Sequence, residues 1–111
     1  MASESSEAIV VFMTAGSPEE AELLAQSLVS KRLAACVQIL PEMQSVYWWQ
    51  GQIENAREIL LLAKTVQSNF AELEREVRSL HTYETPEIIA LPVTDASAPY
   101  LEWLKGTVVS R

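Results

Sequence analysis

Few side chains in this sequence have the chemistry of a metal ligand. The chain has one cysteine, Cys36, and one histidine, His81, with Glu84 three residues after the histidine. A thiolate and an imidazole suit a soft or borderline ion such as copper, and water, a carboxylate or a second copy of the chain could complete the coordination. A closed zinc site needs four ligands, so one copy cannot build one. These residue types therefore predict copper or a similar divalent ion at Cys36, His81 and Glu84.

Each of these residues also has an ordinary structural explanation. A lone cysteine in an apolar segment usually serves as a small buried hydrophobe, which is the alternative for Cys36. A histidine at the end of a helix can donate to the last carbonyls of that helix, which is the alternative for His81. Because His81 precedes a polar loop whereas Cys36 lies in an apolar strand, we predict that His81 is the more exposed of the two.

The sequence carries no strong enzymatic motif. It has no GxxxxGK[ST] loop, no GxGxxG, no GxSxG and no HExxH. A cysteine nucleophile would need a base beside it, and the single histidine is far from Cys36 along the chain. We therefore predict a binding protein rather than an enzyme, with no organic cofactor.

The composition is that of one globular domain. The chain has 111 residues, of which 49% are hydrophobic and 21% charged, so residues 8–111 form a single predicted domain after a flexible tail at 1–7. The net charge of −7 has the wrong sign for neutralising phosphates, which argues against nucleic acid. No apolar run approaches the roughly 20 residues that span a bilayer. One cysteine and an acidic, polar start predict a cytoplasmic protein with no membrane partner.

Hydrophobic periodicity predicts the elements that must position these residues. In chain order they are a strand at 8–13, a helix at 18–33, strands at 34–40, 46–49 and 52–66, a helix at 68–81, a strand at 87–93 and a helix at 97–105. Ser68 is the predicted cap of the second helix, and Gly106 closes the third. If the segments 46–49 and 52–66 are counted as the two arms of one hairpin, the order is βαββαβ plus α. That order predicts a ferredoxin-like α+β sandwich, with both main helices on one face of an antiparallel sheet.

The second face of that sheet is predicted to be buried between copies of the chain. Trp48 and Trp49 are neighbours and would point to opposite faces of a strand, and the run 59–63 is apolar on both faces. No further helix is available to cover this face, so another copy would do so. The strand at 52–66 would be about 50 Å long at about 3.3 Å per residue, enough to reach a neighbour. The alternative is a Trp pair that straddles a bulge inside a monomeric core.

Four segments closely resemble the divalent-cation tolerance proteins of the CutA family. They are KRLAACV at 31–37, YWWQG at 47–51, LAKT at 62–65 and HTYETPEII at 81–89, and the resemblance extends over 9–104. It implies a single CutA domain with a long β-hairpin and a short C-terminal helix, assembled as a homotrimer similar to the PII signal transducers. It also implies a role in tolerance of divalent metals, above all copper.

The resemblance also assigns positions to a metal site and to a cleft between subunits. The metal hypothesis of the family uses motifs that contain Cys36, His81 and Glu84. The positions that match the inter-subunit cleft are Trp49, Lys64, Tyr83 and Glu87. A second hypothesis follows from that cleft, namely a PII-like regulatory trimer that binds a small anionic ligand or a partner's loop there. The missing phosphate loop argues against a nucleotide.

Overall fold

The computed structural model describes residues 7–109, so most of the predicted tail at 1–7 lies outside the described residues. The elements in chain order are β1 (Ala8–Ala15), α1 (Pro18–Ser30), β2 (Cys36–Ile39), β3 (Met43–Trp49), β4 (Gln52–Val66), α2 (Phe70–Leu80), β5 (Ile88–Pro92) and α3 (Ala98–Thr107). This order confirms the predicted α+β fold. Within residues 7–109, no helix is both long enough and apolar enough to span a membrane.

β4 organises the antiparallel sheet because it pairs with three other strands. Its first half pairs with β3 in a hairpin, from Met43↔Glu58 to Trp49↔Gln52. Its second half lies between β2 and β1, and β5 pairs with the outer edge of β1, which gives the order β2-β4-β1-β5. The molecule measures 48 × 25 × 23 Å. Neighbouring strands lie about 5 Å apart, and the long dimension includes the β3–β4 hairpin.

The hairpin turn has the geometry that its sequence predicts. Gln50 and Gly51 both have positive φ, at 50° and 80°, which is the pattern of a two-residue turn that matches the twist of the strands. Trp48 lies opposite Ile53 in a regular register, with no bulge. Trp48 is 71% exposed and Trp49 is 44% exposed in the single chain. The alternative in which the Trp pair straddles a bulge inside a monomeric core is therefore wrong.

The helices α1 and α2 cover one face of the sheet. The buried residues of this face alternate along the strands, as in Val11 and Met13 of β1 and Leu61 of β4, and they pack against Leu24 of α1 and Leu73 of α2. Ser17 caps α1, since its hydroxyl accepts a hydrogen bond from the Glu20 N–H at 3.1 Å. This alternation is what buries one face of a sheet and leaves the other for a different contact.

Three predicted helix boundaries differ from the structure. α1 ends at Ser30 rather than near residue 33, and Arg32 follows with a φ of 57°, outside the helical region. Ser68 does not cap α2, because a 3-10 turn over Gln67–Asn69 precedes that helix. Gly106 lies inside α3, which continues to Thr107. A single glycine near a helix end lowers helix stability only modestly, so the helix can extend past it.

The opposite face of the sheet is apolar and largely uncovered. Phe12 of β1 lies opposite Leu62 of β4 and Ile89 of β5, and all three point away from the helices. Ile89 is 52% exposed and its neighbour on this face, Leu91, is 47% exposed. α3 covers only one end, where Leu104 packs on the ends of β1 and β4. We call the surface formed by Val10, Phe12, Leu60, Leu62, Ile89 and Leu91 the open sheet face.

Candidate functional site

A cavity of about 610 Å³ lies between the β3–β4 hairpin and the loop that joins α2 to β5. We call it the hairpin cavity. Its walls contain three aromatic rings and three carboxylates, which belong to Tyr47, Trp49, Tyr83, Glu58, Glu84 and Glu87. Three of the four predicted cleft residues and the predicted ligand Glu84 therefore line one cavity.

The fourth predicted cleft residue, Lys64, lies elsewhere. It pairs with Cys36 in the β2–β4 ladder, and its ammonium group hydrogen-bonds to the side chain of Gln38. Neither lysine nor arginine is among the described residues that line the hairpin cavity. The cavity of one chain is therefore acidic, and the inter-subunit cleft predicted from the resemblance, which a second copy would complete, stays a prediction.

A buried carboxylate ties the wall of the hairpin cavity to the start of α1. Glu20 accepts hydrogen bonds from the N–H of Gly16 at 2.8 Å and from the N–H of Thr82 at 2.7 Å. Burial of the Glu20 carboxyl raises its pKa, but the hydrogen bonds from Gly16 and Thr82 outweigh this effect, so the pKa lies below its usual value. Glu20 thus acts as a clamp between two loops.

His81, like Glu20, holds the loop after α2 against neighbouring segments. Its side chain is 0% exposed. The Nε2 atom lies 2.6 Å from the carbonyl of Thr14, and Nδ1 accepts a hydrogen bond from the N–H of Tyr83 at 3.0 Å. These partners correspond to a neutral ring with its proton on Nε2. Because both ring nitrogens have partners within the chain, a metal ion could reach neither without displacing one.

The prediction that His81 is more exposed than Cys36 is wrong. The loop after α2 folds back over the imidazole, and the Tyr83 ring lies 4.7 Å from it, centroid to centroid. Cys36 is only partly buried and lies on the same side of the sheet as the open sheet face. The His81 ring does not bond to the last carbonyls of its own helix but reaches the Thr14 carbonyl of β1, while the backbone N–H of His81 donates to the Val77 carbonyl at 2.9 Å.

The predicted metal ligands do not meet within one chain. Cys36 lies opposite Lys64, whereas Thr14, which binds His81, lies opposite Leu60, about 13 Å further along β4. No three His, Cys, Asp or Glu side chains within 7–109 are arranged to hold a metal ion. Coordination by Cys36, His81 and Glu84 therefore stays a prediction, and one chain alone does not complete such a site.

Sequence reasoning missed three residues of this region: Glu20, Tyr47 and Glu58. Glu58 is only 8% exposed, and its carboxylate interacts with the phenol of Tyr83. Burial raises the pKa of Tyr83 to about 12, with a further contribution from the nearby Glu58 carboxylate. The one signal for Glu58 was its place at the junction between a polar stretch and the apolar run 59–63.

Comparison with known proteins gives consistent matches. A family model described as "CutA1 divalent ion tolerance protein" matches residues 9–107. The "Divalent-cation tolerance protein CutA" of Thermus thermophilus is 46% identical over 96 residues, which are 86% of this chain and 93% of that protein. The "Protein CutA 1, chloroplastic" of Oryza sativa is 44% identical over 99 residues, or 89% of this chain, but the match spans only 56% of that longer relative.

The structural comparison agrees with the sequence comparison. The crystal structure of CutA1 from Oryza sativa superposes with a TM-score of 0.91 at 42% sequence identity, and the match covers 96% of this chain and 98% of that chain. The shared architecture therefore includes the long hairpin and the terminal helix, as well as the ferredoxin-like centre.

Proposed function

Because the chain belongs to the CutA1 divalent ion tolerance family, we propose that it acts in divalent-cation tolerance as a homotrimer that binds copper or a similar divalent ion. The family is described by ion tolerance and not by a reaction. In our proposal the chain is likewise not an enzyme. Its single thiol has no neighbouring imidazole to activate it, since the His81 ring is buried further along the sheet.

The observation that carries the proposed assembly is the open sheet face. Apolar side chains of three adjacent strands stand together there, and among residues 7–109 no element covers Ile89 or Leu91, which are 52% and 47% exposed. An exposed apolar patch of this kind marks an association surface. That the copies number three rests on the resemblance to the CutA family, because the face by itself fits any closed assembly.

The metal-binding part of the proposal centres on Cys36. It is the one thiol of the chain, it is partly accessible, and it lies on the same side of the sheet as the open sheet face, opposite Lys64. Copper favours thiolate over oxygen ligands, so Cys36 supports copper better than magnesium or calcium. Another copy, a carboxylate or water would supply the remaining ligands. His81 keeps its structural contacts in this proposal.

The test is calorimetric titration of the chelator-treated assembly with copper, zinc and magnesium. We expect copper to bind most tightly and Cys36→Ser to abolish that preference. Ser30→Ala, an exposed position at the end of α1, is the matched control and should bind copper as the parent does. Equal copper binding by the parent and by Cys36→Ser would contradict the proposed ligand.

The charges of the hairpin cavity argue against the alternative of a small anionic ligand. Three carboxylates line the cavity, and Lys64, the cation that would have attracted an anion, lies at the other end of the sheet. Like charges repel most strongly where water is scarce. We therefore do not develop the anion-binding alternative.

We also propose a cytoplasmic location. The support is that the chain has a single cysteine and needs no disulfide, which suits a reducing compartment. Fractionation of cells that express the full chain tests this. Recovery with a cytosolic marker is expected, and recovery with a periplasmic or organellar marker would contradict it.

A further inference from the structure

We propose that the hairpin cavity binds a small organic cation, an amine whose ammonium group contacts Glu58 while its apolar part lies against Tyr47 and Trp49. This inference is independent of the proposed metal binding at Cys36, which lies on another part of the sheet. It names a ligand class for a cavity in which the proposed copper ligand Cys36 does not lie.

The first argument is that the Glu58 carboxylate faces the cavity and has no cation beside it among residues 7–109. Glu58 is 8% exposed and lines the cavity, yet it forms no ion pair with any residue between 7 and 109. Its described partner is the neutral phenol of Tyr83. A carboxylate that faces a cavity on a mostly buried residue, with no cation beside it, attracts a group of opposite charge into that cavity. A protonated amine bound in the cavity beside Glu58 would supply such a charge.

The second argument is that the Tyr83 side chain, which lies beside Glu58 in the cavity wall, is held in place by its neighbours. The backbone N–H of Tyr83 is bound to His81, and its ring packs against the imidazole. A Cβ atom at Gly16 would lie 3.1 Å from the Tyr83 hydroxyl, so the glycine provides the space that the phenol occupies. The phenol beside Glu58 is therefore held in place before any ligand arrives, which reduces the entropic cost of binding.

The third argument is the chemistry of the remaining walls. Tyr47 and Trp49 present rings that are 43% and 44% exposed, and aromatic faces attract ammonium groups. Glu84 and Glu87 add negative charge at the exposed rim. Aromatic faces combined with carboxylates form the usual surroundings of a protonated amine, and they repel anions.

A metal ion fits the same cavity less well than an amine does. The carboxylates of Glu58, Glu84 and Glu87 do not form a group of three able to share one ion. The cavity of about 610 Å³ is of the size that holds small organic molecules, which is roughly 300–1,000 Å³. Aromatic rings are also poor ligands for hard divalent ions, which prefer oxygen donors.

The test uses three probes of one shape and different charge, namely benzylamine, benzyl alcohol and benzoate, with the full chain in its assembled state. Binding is followed by tryptophan fluorescence and by calorimetry. We expect benzylamine to bind and the neutral and anionic probes to bind at least about thirtyfold more weakly, because a buried charge contact is worth at least about that factor. Equal binding of benzylamine and benzyl alcohol, or no binding of benzylamine at millimolar concentration, would overturn the proposal.

The variants separate a ligand contact from a loss of structure. Glu58→Gln should lower benzylamine affinity about thirtyfold or more, while Glu102→Gln, which removes the same charge from an exposed position on α3, should leave it unchanged. Tyr83→Phe keeps the ring and removes the hydroxyl, so it should weaken binding less than Glu58→Gln. Circular dichroism and the mass of the assembly verify folding of each variant.

Two further outcomes would overturn the inference. Benzylamine affinity that is unaffected by Glu58→Gln would place the amine elsewhere. A Glu58→Gln chain that assembles less tightly, in a protein that binds no benzylamine, would show that a basic side chain of another copy fills the cavity. Copper titration of the same samples tests Cys36 separately. Failure of the amine proposal can therefore be told apart from failure of the copper proposal.

Discussion

Replacing His81 by alanine tests whether this residue is a structural link or a metal ligand. The change removes the contact with the Thr14 carbonyl at 2.6 Å and the contact with the Tyr83 N–H at 3.0 Å. Each lost hydrogen bond costs about 1 kcal/mol, and each buried group left without a partner adds about 1–3 kcal/mol. The space left by a ring that is 0% exposed costs more still. We expect the free energy of unfolding to fall by at least about 4 kcal/mol.

The assay combines urea denaturation with copper titration of the same His81→Ala protein at a temperature where it remains folded. Stability should fall strongly while copper affinity stays within about twofold of the parent value, since a group that binds no ion removes none of its binding energy. Cys36→Ser is the companion variant and should show the reverse pattern. A His81→Ala protein of unchanged stability that has lost copper binding would refute the structural assignment.

Three further predictions concern Glu20, Tyr83 and the open sheet face. Glu20 has a lowered pKa in the folded chain, so its contribution to stability is present above the usual value of 4.5 and is lost as the pH falls below it. Glu20→Gln should therefore reduce the loss of stability in acid, measured as urea midpoints from pH 7 to 3. An unchanged loss of stability in acid would contradict the role of Glu20 as a clamp between two loops. Ultraviolet titration should show one phenol with a pKa of about 12 that disappears in Tyr83→Phe, and titration of that phenol near 10 would contradict its contact with Glu58. Leu62→Ala should destabilise the assembly in a concentration-dependent manner, whereas a loss that is independent of concentration would place Leu62 in the core of one copy.

Local sequence signals predicted most of the elements. The predicted helices at 18–33 and 68–81 both exist, because Ser17 and Pro18 are residue types that begin a helix and the apolar positions of 70–80 repeat at helical spacing. Gln50–Gly51 between two strands predicted the hairpin. These signals act over a few residues, which is why they are readable without the rest of the chain.

The candidate site was less predictable because it depends on contacts between distant segments. Glu20 and Thr82 are far apart in sequence, and nothing local indicates that a helix-capping residue also holds the loop after α2. Burial of His81 depends on the same loop folding back, so a polar sequence around it indicated exposure. Glu58 belongs to a charged stretch, and only the pairing of β3 with β4 places it inside a cavity.

The central claim is that copies of this chain associate through the open sheet face, and the mass of the protein in solution tests it most directly. Light scattering behind size exclusion at micromolar concentration should give three times the 12.4 kDa mass of one chain. Ile89→Glu, at a position that is 52% exposed in the single chain, should give 12.4 kDa because a charge on that face opposes association without disturbing the core. A parent protein that elutes at 12.4 kDa, or an Ile89→Glu protein that keeps the mass of three chains, would contradict the account.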